Sequence, residues 1–227
     1  MLEYLIKANV LGILLFFIPA YYIFIRISAS VETELVERKL YLACGIGSVF
    51  GSIAEALTLG GGLKSYSEDI GFSSLIFVTP LITISLLYVS VNFKTFRKER
   101  YAGYYAAGVG LFYGASKEFW SLWVLETNIG ELSLGVNLID LLMGMAFVTL
   151  LGGCGLWMGE ACRVGEDKLR MFGRLTLLCI LMNFLLVSSM EMTSVIVDYA
   201  GAFTVGAVGM TLLRRGQMNL PKKLRDS

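Results

Sequence analysis

Long apolar segments alternate with short polar ones along the whole chain. Each apolar segment approaches or exceeds the roughly 20 residues that a helix needs to cross a bilayer. The segments are residues 5–27, 39–60, 70–93, 101–125, 132–159, 172–190 and 194–213. The last two form one run that is interrupted only at Met190–Thr193, where we expect a tight turn. The pattern therefore predicts an all-α membrane protein, a single domain over residues 1–227 that forms a seven-transmembrane helix bundle.

The composition excludes several classes of protein. Of the 227 residues, 56% are hydrophobic and 16% are charged. A soluble domain usually carries about 25% charged residues, so a water-soluble globule is excluded. The sequence contains no histidine, which excludes histidine-ligated haem and zinc, and any histidine-based catalytic triad, within this chain. We predict neither a metal site nor an enzyme.

Basic residues concentrate on one side of the predicted bundle. Sixteen of the 19 Lys and Arg residues fall there. They are Arg26, Arg38, Lys39, Lys94, Arg97, Lys98, Arg100, Arg163, Lys168, Arg170, Arg174, Arg214, Arg215, Lys222, Lys223 and Arg225. Because basic loops stay in the cytoplasm, this bias predicts an external N-terminus and a cytoplasmic C-terminus in the cell membrane. Orientation and contact with anionic lipid explain the clusters, so we expect no nucleic-acid partner.

Five charged residues lie within the predicted spans and away from their ends, namely Glu55, Lys117, Glu118, Asp140 and Asp198. Charges inside a bilayer are costly, so each one is a candidate for a functional site. All five fall in the external half of the bundle, which predicts a polar cavity there, although structural pairs that seal the outer bundle remain the alternative. Lys117 and Asp140 should reach similar depths, so we expect them to pair. Glu118 lies about 100° further round the helix and should point elsewhere.

Small residues and cysteines complete the pattern inside the spans. Three GxxxG pairs occur, Gly47/Gly51, Gly110/Gly114 and Gly155/Gly159, and internal helix packing explains them at least as well as dimerisation does. The four cysteines, Cys44, Cys154, Cys162 and Cys179, form no CxxC motif. We expect buried, inert thiols without a disulfide or a metal.

Two stretches are similar to known membrane proteins. Residues 76–81 read I-F-V-T-P-L, similar to the L-F-T-T-P-L stretch of archaeal proton pumps. Residues 198–202, followed by Gly206 and by L-L-R at 212–214, are similar to a D-x-x-x-K segment with its later glycine and L-L-R ending. Together with the seven predicted spans, this order and spacing resemble the microbial rhodopsin family over essentially the whole chain. The resemblance implies a rhodopsin-like bundle.

The chain departs from that family where retinal would bind. The resemblance places the Schiff-base lysine at Ala202, which has no amine, and the proton-accepting aspartate at Ser74. The vacated positions of the retinal site are Ser74, Leu75, Ile180, Asn183, Phe184 and Ala202. The counterion position alone keeps its acid, as Asp198. We therefore expect no cofactor and, in particular, no retinal bound through position 202.

Three functions remain open at this point. In the first, the chain is a retinal-free rhodopsin-like protein, not an enzyme, that acts as a sensor, a regulator or an assembly partner. Its partners would be the lipid bilayer, a cytoplasmic or membrane protein, or further copies in a homo-oligomer, with Lys94–Arg100 and residues 214–225 as contact surfaces. In the second, Glu55, Lys117, Asp140 and Asp198 form the entry site of an ion or small-molecule permease or channel.

In the third, the vacated pocket holds an apolar molecule such as a carotenoid, an isoprenoid or retinal without a covalent bond. Lys117 is the one lysine within the predicted spans that lies away from their ends, which leaves a Schiff base from another helix as a variant of this function. An intramembrane aspartate protease would need Asp140 and Asp198 at one depth. Neither lies in a recognisable motif, so we predict no such activity.

Overall fold

The computed structural model describes residues 10, 12–29, 31, 35–60, 74–97, 99–129, 134–164, 168–191 and 195–225, and in these ranges the chain forms helices and turns without a strand. The long helices are α1 (Ile18–Ser28), α2 (Glu37–Gly60), α3 (Thr79–Val91), α4 (Ala102–Ile129), α5 (Leu134–Val164), α6 (Lys168–Glu191) and α7 (Val195–Arg225). A four-residue helix, Lys94–Arg97, precedes α4. The all-α prediction is confirmed for these residues, and each predicted segment overlaps one long helix.

The helix ends differ from the predicted bounds mainly in the last helix. Helix α6 ends at Glu191 and α7 begins at Val195, so the predicted break is confirmed, while residues 192–194 lie outside the described part of the chain. Helix α7 continues to Arg225, well past the predicted end at 213. Apolarity marks where a helix would cross a membrane and not where it ends, and Leu, Met, Gln, Lys and Arg all favour helix in water.

Two helices begin with a widened π-helical turn ahead of a proline. Ile13–Phe17 leads into α1 and Ser74–Val78 leads into α3, with Pro19 and Pro80 at their second positions. The proline ring clashes with the carbonyl group four residues earlier and provides no N–H donor. A π-helical turn accommodates both effects and keeps the helix continuous.

Within the described ranges, four helices are long and apolar enough to cross a membrane, judged by length and composition. They contain the windows Glu37–Thr58, Leu141–Val164, Lys168–Ser188 and Ile196–Met218. Two shorter apolar helices cover Ile13–Ser28 and Ile76–Val91. In three of the four windows only 28% of the residues are buried, so large apolar side chains cover the outside of the bundle. A soluble monomer seldom exposes so much continuous apolar surface, which supports a membrane-embedded protein.

Helix α4 lies at the centre of the bundle and is not among these four. Every residue from Tyr101 to Leu111 is buried, over about three turns and thus on all faces of the helix. Helices α1, α2, α3 and α5 pack around it, and α7 packs on the far side of α5. A helix enclosed by other helices does not face lipid, so α4 can be rich in Gly, Ala and Tyr.

The residue contacts give the direction of each central helix. Gly47 meets Val109 and Gly51 meets Tyr113, so α2 and α4 run parallel. Contacts of α4 with α5 run in the opposite order, because Gly110 meets Leu151 and the earlier residue Ala106 meets the later Gly155. We call the end at which α2 and α4 begin the basic end, because Arg38, Lys39 and Arg100 lie there, and the opposite end the distal end.

All three GxxxG pairs serve contacts within the chain. A Cβ atom at Gly51 would collide with the carbonyl oxygen of Tyr113, one at Gly110 with that of Leu151, and one at Gly155 with that of Ala106. The helix backbones therefore touch directly, which only glycine permits. Internal packing of these motifs is confirmed.

We predict that Gly51→Ala lowers the free energy of unfolding by about 1–3 kcal/mol, because the added methyl group forces α2 away from α4. Gly45→Ala on the same helix is the control, since nothing lies within 4 Å of a Cβ there. That variant should be neutral or more stable by up to about 1 kcal/mol. Unfolding in detergent micelles measures both, and equal midpoints would contradict the assigned packing.

Candidate functional site

Three charged side chains of the predicted cluster meet where α2 and α4 run side by side. Lys117 Nζ lies 3.7 Å from Glu55 Oε2 and 3.4 Å from Glu118 Oε1. The Glu55 side chain is fully buried, and the other two are 14% and 15% exposed. Lys117 Nζ also lies 5.6 Å from the centroid of the Phe147 ring on α5, within cation–π range. We call Glu55, Lys117 and Glu118 the charged triad; it carries excess negative charge when all three groups are ionised.

The close approach of α2 to α4 places this triad. Gly51 lies against the backbone of α4, and Glu55 follows it by one helical turn on the same face. Within that turn the hydroxyl oxygens of Ser52 and Ser116 lie 2.8 Å apart and form a hydrogen bond between the helices. Lys117 is the next residue of α4, so its ammonium group reaches Glu55.

The predicted orientation of Glu118 is wrong, and the predicted pairing of Lys117 with Asp140 lies outside the described part of the structure. Glu118 does not point elsewhere, because its carboxylate accepts a hydrogen bond from Lys117. Neighbouring residues on a helix leave the axis about 100° apart, yet both side chains are long enough to curve towards each other. The predicted partner, Asp140, lies on α5 with its side chain outside the described part of the structure. The described carboxylates beside Lys117 are those of Glu55 and Glu118.

Asp198 lies apart from the triad, in the first turn of α7. Its residue is partly buried, and its Oδ1 atom is buried without a hydrogen bond from the described residues. No ion pair among the described residues connects it to the triad. Of the five residues predicted to form a cluster, Glu55, Lys117 and Glu118 are therefore in contact, whereas Asp198 lies apart on α7.

A cavity of about 100 Å³ adjoins the triad. Its polar lining consists of Thr58 on α2, Thr79 and Thr83 on α3, Lys117 on α4 and Asn183 on α6. The Thr79 hydroxyl group is buried and forms no hydrogen bond with the described residues. A buried polar group without a partner is costly unless water or a ligand satisfies it. The volume suits a few water-sized molecules, well below the 300–1,000 Å³ typical of sites for drug-sized ligands.

Sequence reasoning missed the three threonines of this lining. Thr79 and Thr83 lie one helical turn apart, so they face the same side of α3. Hydroxyl groups one turn apart in an otherwise apolar helix were the available signal. It is weak, because a threonine hydroxyl often bonds its own helix backbone, as Thr58 does to the carbonyl oxygen of Ala54 at 2.9 Å.

Below the cavity, towards the basic end, the described side chains are close-packed and mostly apolar, with buried hydroxyl-bearing residues at Ser90, Tyr104 and Thr176. Ile84 and Leu87 of α3, Val109 of α4, Cys154 of α5 and Leu175 of α6 belong to one buried cluster at this level. Four of them are 0% exposed and Leu175 is 5% exposed. The cavity therefore ends on a packed apolar layer, which we call the floor.

Of the vacated retinal positions whose side chains the structure describes, Asn183 and Ala202 lie in different places. Asn183 lines the cavity, whereas Ala202 lines a separate groove of about 330 Å³ between α5 and α7. Phe184 is 50% exposed on the outside of α6, and Ile180 is partly buried. Ser74 and Leu75 lie in the π-helical turn before α3, and their side chains are outside the described part.

No family model, curated protein or solved structure matches this chain. The function is therefore argued from the triad, the cavity and the helix contacts themselves.

We predict that Lys117→Met lowers the free energy of unfolding by about 3–5 kcal/mol, because it leaves the fully buried Glu55 beside Glu118 without their common cation. Adding Glu55→Gln to that variant should restore most of the loss. Lys39→Met is the control: Lys39 pairs with Glu99 at 2.5 Å, but their side chains are 27% and 34% exposed, so about 1 kcal/mol or less is at stake. Denaturant unfolding in detergent measures all three, and similar losses for the two single variants would contradict the role of Lys117.

Proposed function

We propose that this chain is a retinal-free, seven-span, rhodopsin-like membrane protein that is not an enzyme and acts as a sensor or an assembly partner. The observation that carries the proposal is the cavity beside the charged triad. Lys117, three threonines and Asn183 give polar groups to a lining that is otherwise apolar, and the floor closes the cavity towards the basic end. A small site with a few polar groups on one side of the bundle can bind a small solute and respond to it. A pathway for protons or ions, by contrast, needs polar groups in both the distal and the basic half of the bundle.

The helix directions support the seven-span topology. Helices α2 and α4 run parallel and α5 runs against them, as successive crossings require. The basic residues at the start of α2 and α4 then lie on the same side as Arg214 and Arg215 of α7. By the positive-inside rule, that side is the cytoplasm and the N-terminus is external.

The size of the cavity argues against a buried apolar ligand. About 100 Å³ cannot enclose a carotenoid, an isoprenoid or retinal. The larger groove beside Ala202 lies between α5 and α7, and in a bilayer a lipid chain would fill it. Lys117 is engaged by two carboxylates, which opposes its use as a Schiff-base amine.

A permease is the second candidate, and the cavity itself favours it. Helices α2 to α6 all contribute to the lining, as substrate sites at the centre of transporter bundles do. Opening would require the floor to separate. The described helices lack the interruptions near mid-membrane that mark many transporters, so this function ranks second.

Reporter fusions test the span number. With seven spans, alkaline phosphatase fused after residue 130 should be active outside, whereas the same enzyme fused after residue 98 should be inactive in the cytoplasm. Crossing by α4 is what separates these sites. If only the four long apolar helices cross, the two fusions will report the same side, and the seven-span topology is wrong.

Flux and capture together test the function. In proteoliposomes we expect proton, Na⁺, K⁺ and Cl⁻ fluxes equal to those of empty vesicles.

In native membranes we expect crosslinking to one specific protein, reduced at least tenfold in Arg214→Glu/Arg215→Glu. Arg26→Glu, at another exposed end on the same side, is the control and should retain that crosslink. Flux that is lost in Lys117→Met would replace the proposal with the permease, and a crosslink insensitive to Arg214 and Arg215 would refute the proposed contact surface.

A further inference from the structure

Two of the four cysteines lie in contact inside the bundle. Cys154 Sγ of α5 is 3.8 Å from Cys179 Sγ of α6, and these residues are 0% and 3% exposed. All four cysteines lie in the described ranges and none forms a disulfide. The distance is a van der Waals contact, and a disulfide forms when the sulfur atoms approach to about 2.05 Å. Disulfide formation therefore requires the two sulfur atoms to approach each other from 3.8 Å.

The sequence places this pair at one level of the bundle. Helices α5 and α6 form an antiparallel hairpin joined through residues 165–167, and Cys154 and Cys179 lie 12 and 13 residues from residue 166. Residues at nearly equal distances from the connection of such a hairpin lie at similar heights. The prediction of buried thiols is confirmed for Cys154, Cys162 and Cys179, while Cys44 is partly buried. Their inertness stays a prediction, and spacing within the hairpin brings Cys154 and Cys179 into contact without any CxxC motif.

The pair also borders the cavity. Cys179 is part of its lining, next to the polar side chains of Thr83, Lys117 and Asn183. Space for a few water-sized molecules admits a small neutral oxidant such as hydrogen peroxide. Cys179 is therefore the member of the pair that a peroxide in the cavity meets first. Cys154 belongs to the floor, behind Cys179 as seen from the cavity.

We propose that Cys154 and Cys179 form an oxidisable dithiol at the junction of the cavity and its floor, with a small peroxide as its oxidant. Cys179 sulfur attacks one peroxide oxygen, the O–O bond breaks, and a sulfenic acid and one water form. Cys154 sulfur then attacks Cys179 sulfur, and the S–O bond breaks with release of a second water. Two thiols are oxidised to one disulfide between α5 and α6, while peroxide is reduced to two waters. This inference goes beyond the proposed function and does not depend on it.

Counting free thiols by mass tests the inference on the full chain in lipid nanodiscs. The protein is treated with hydrogen peroxide, freed of it by catalase, unfolded, and alkylated with N-ethylmaleimide. Before peroxide the intact mass should show four labels, and afterwards two. Digestion without reductant should yield one crosslinked peptide that contains both Cys154 and Cys179.

Variants make the assignment specific. Cys44→Ala/Cys162→Ala retains only the pair and should go from two labels to none. Cys154→Ala should not form an intramolecular crosslink, while the matched variant Cys162→Ala, on the same helix, should still lose two labels. Four labels after peroxide in the wild type, a crosslink between other cysteines, or conversion to sulfinic acid without a crosslink would each overturn the proposal.

Discussion

Direct backbone contact of α4 with α2 and α5 is the constraint on which the rest of this structure depends. Gly51 of α2 forms the contact with α4, and Gly110 of α4 and Gly155 of α5 form the contact between those two helices. A methyl group added at any of the three would collide with a carbonyl oxygen of the neighbouring helix. Because α2 and α5 lie so close to α4, helices α1 and α3 can also pack against it. Helix α4 is therefore the enclosed centre of the bundle. An enclosed helix has few positions that face lipid and need leucine. This explains why α4 has no segment as strongly apolar as those of α2, α5, α6 and α7.

The same contact brings charge into the interior. Helices at an ordinary spacing of 8–10 Å would leave Glu55 and Lys117 further apart and more open to water. Stability alone is a poor explanation for the triad, because apolar residues of equal volume usually replace a buried ion pair without loss. The triad also carries one more acid than base and adjoins hydroxyl groups that include an unsatisfied one at Thr79. Binding of water or a small solute beside the triad and the Thr79 hydroxyl group explains this arrangement better than stability does.

Periodicity and charge predicted the positions of the helices, the internal use of the GxxxG motifs and the presence of Glu55 and Lys117 in one polar region. Two features escaped prediction for physical reasons. Helical geometry gives the direction of a Cα–Cβ bond, not the reach of a long side chain, so Glu118 was misplaced. Burial of α4 depends on its neighbours, which its own sequence does not specify. The resemblance to rhodopsins stays a prediction, since no matching family, protein or structure tests it.

The packing also determines which helices can respond to events in the cavity. The backbones of α2, α4 and α5 touch at Gly51, Gly110 and Gly155, so these helices have little room to shift against one another. Helix α6 is different: only 28% of its apolar window is buried, against 72% for α5, and a Cβ at its Gly173 would touch nothing. Yet α6 provides Asn183 and Cys179 to the cavity and bears exposed Arg170 and Arg174 near the basic end. A solute in the cavity, or a bond from α5 to Cys179, would therefore displace α6 before any other part of the floor. Through that one helix, a change at the distal end reaches the basic surface at which the proposed partner binds.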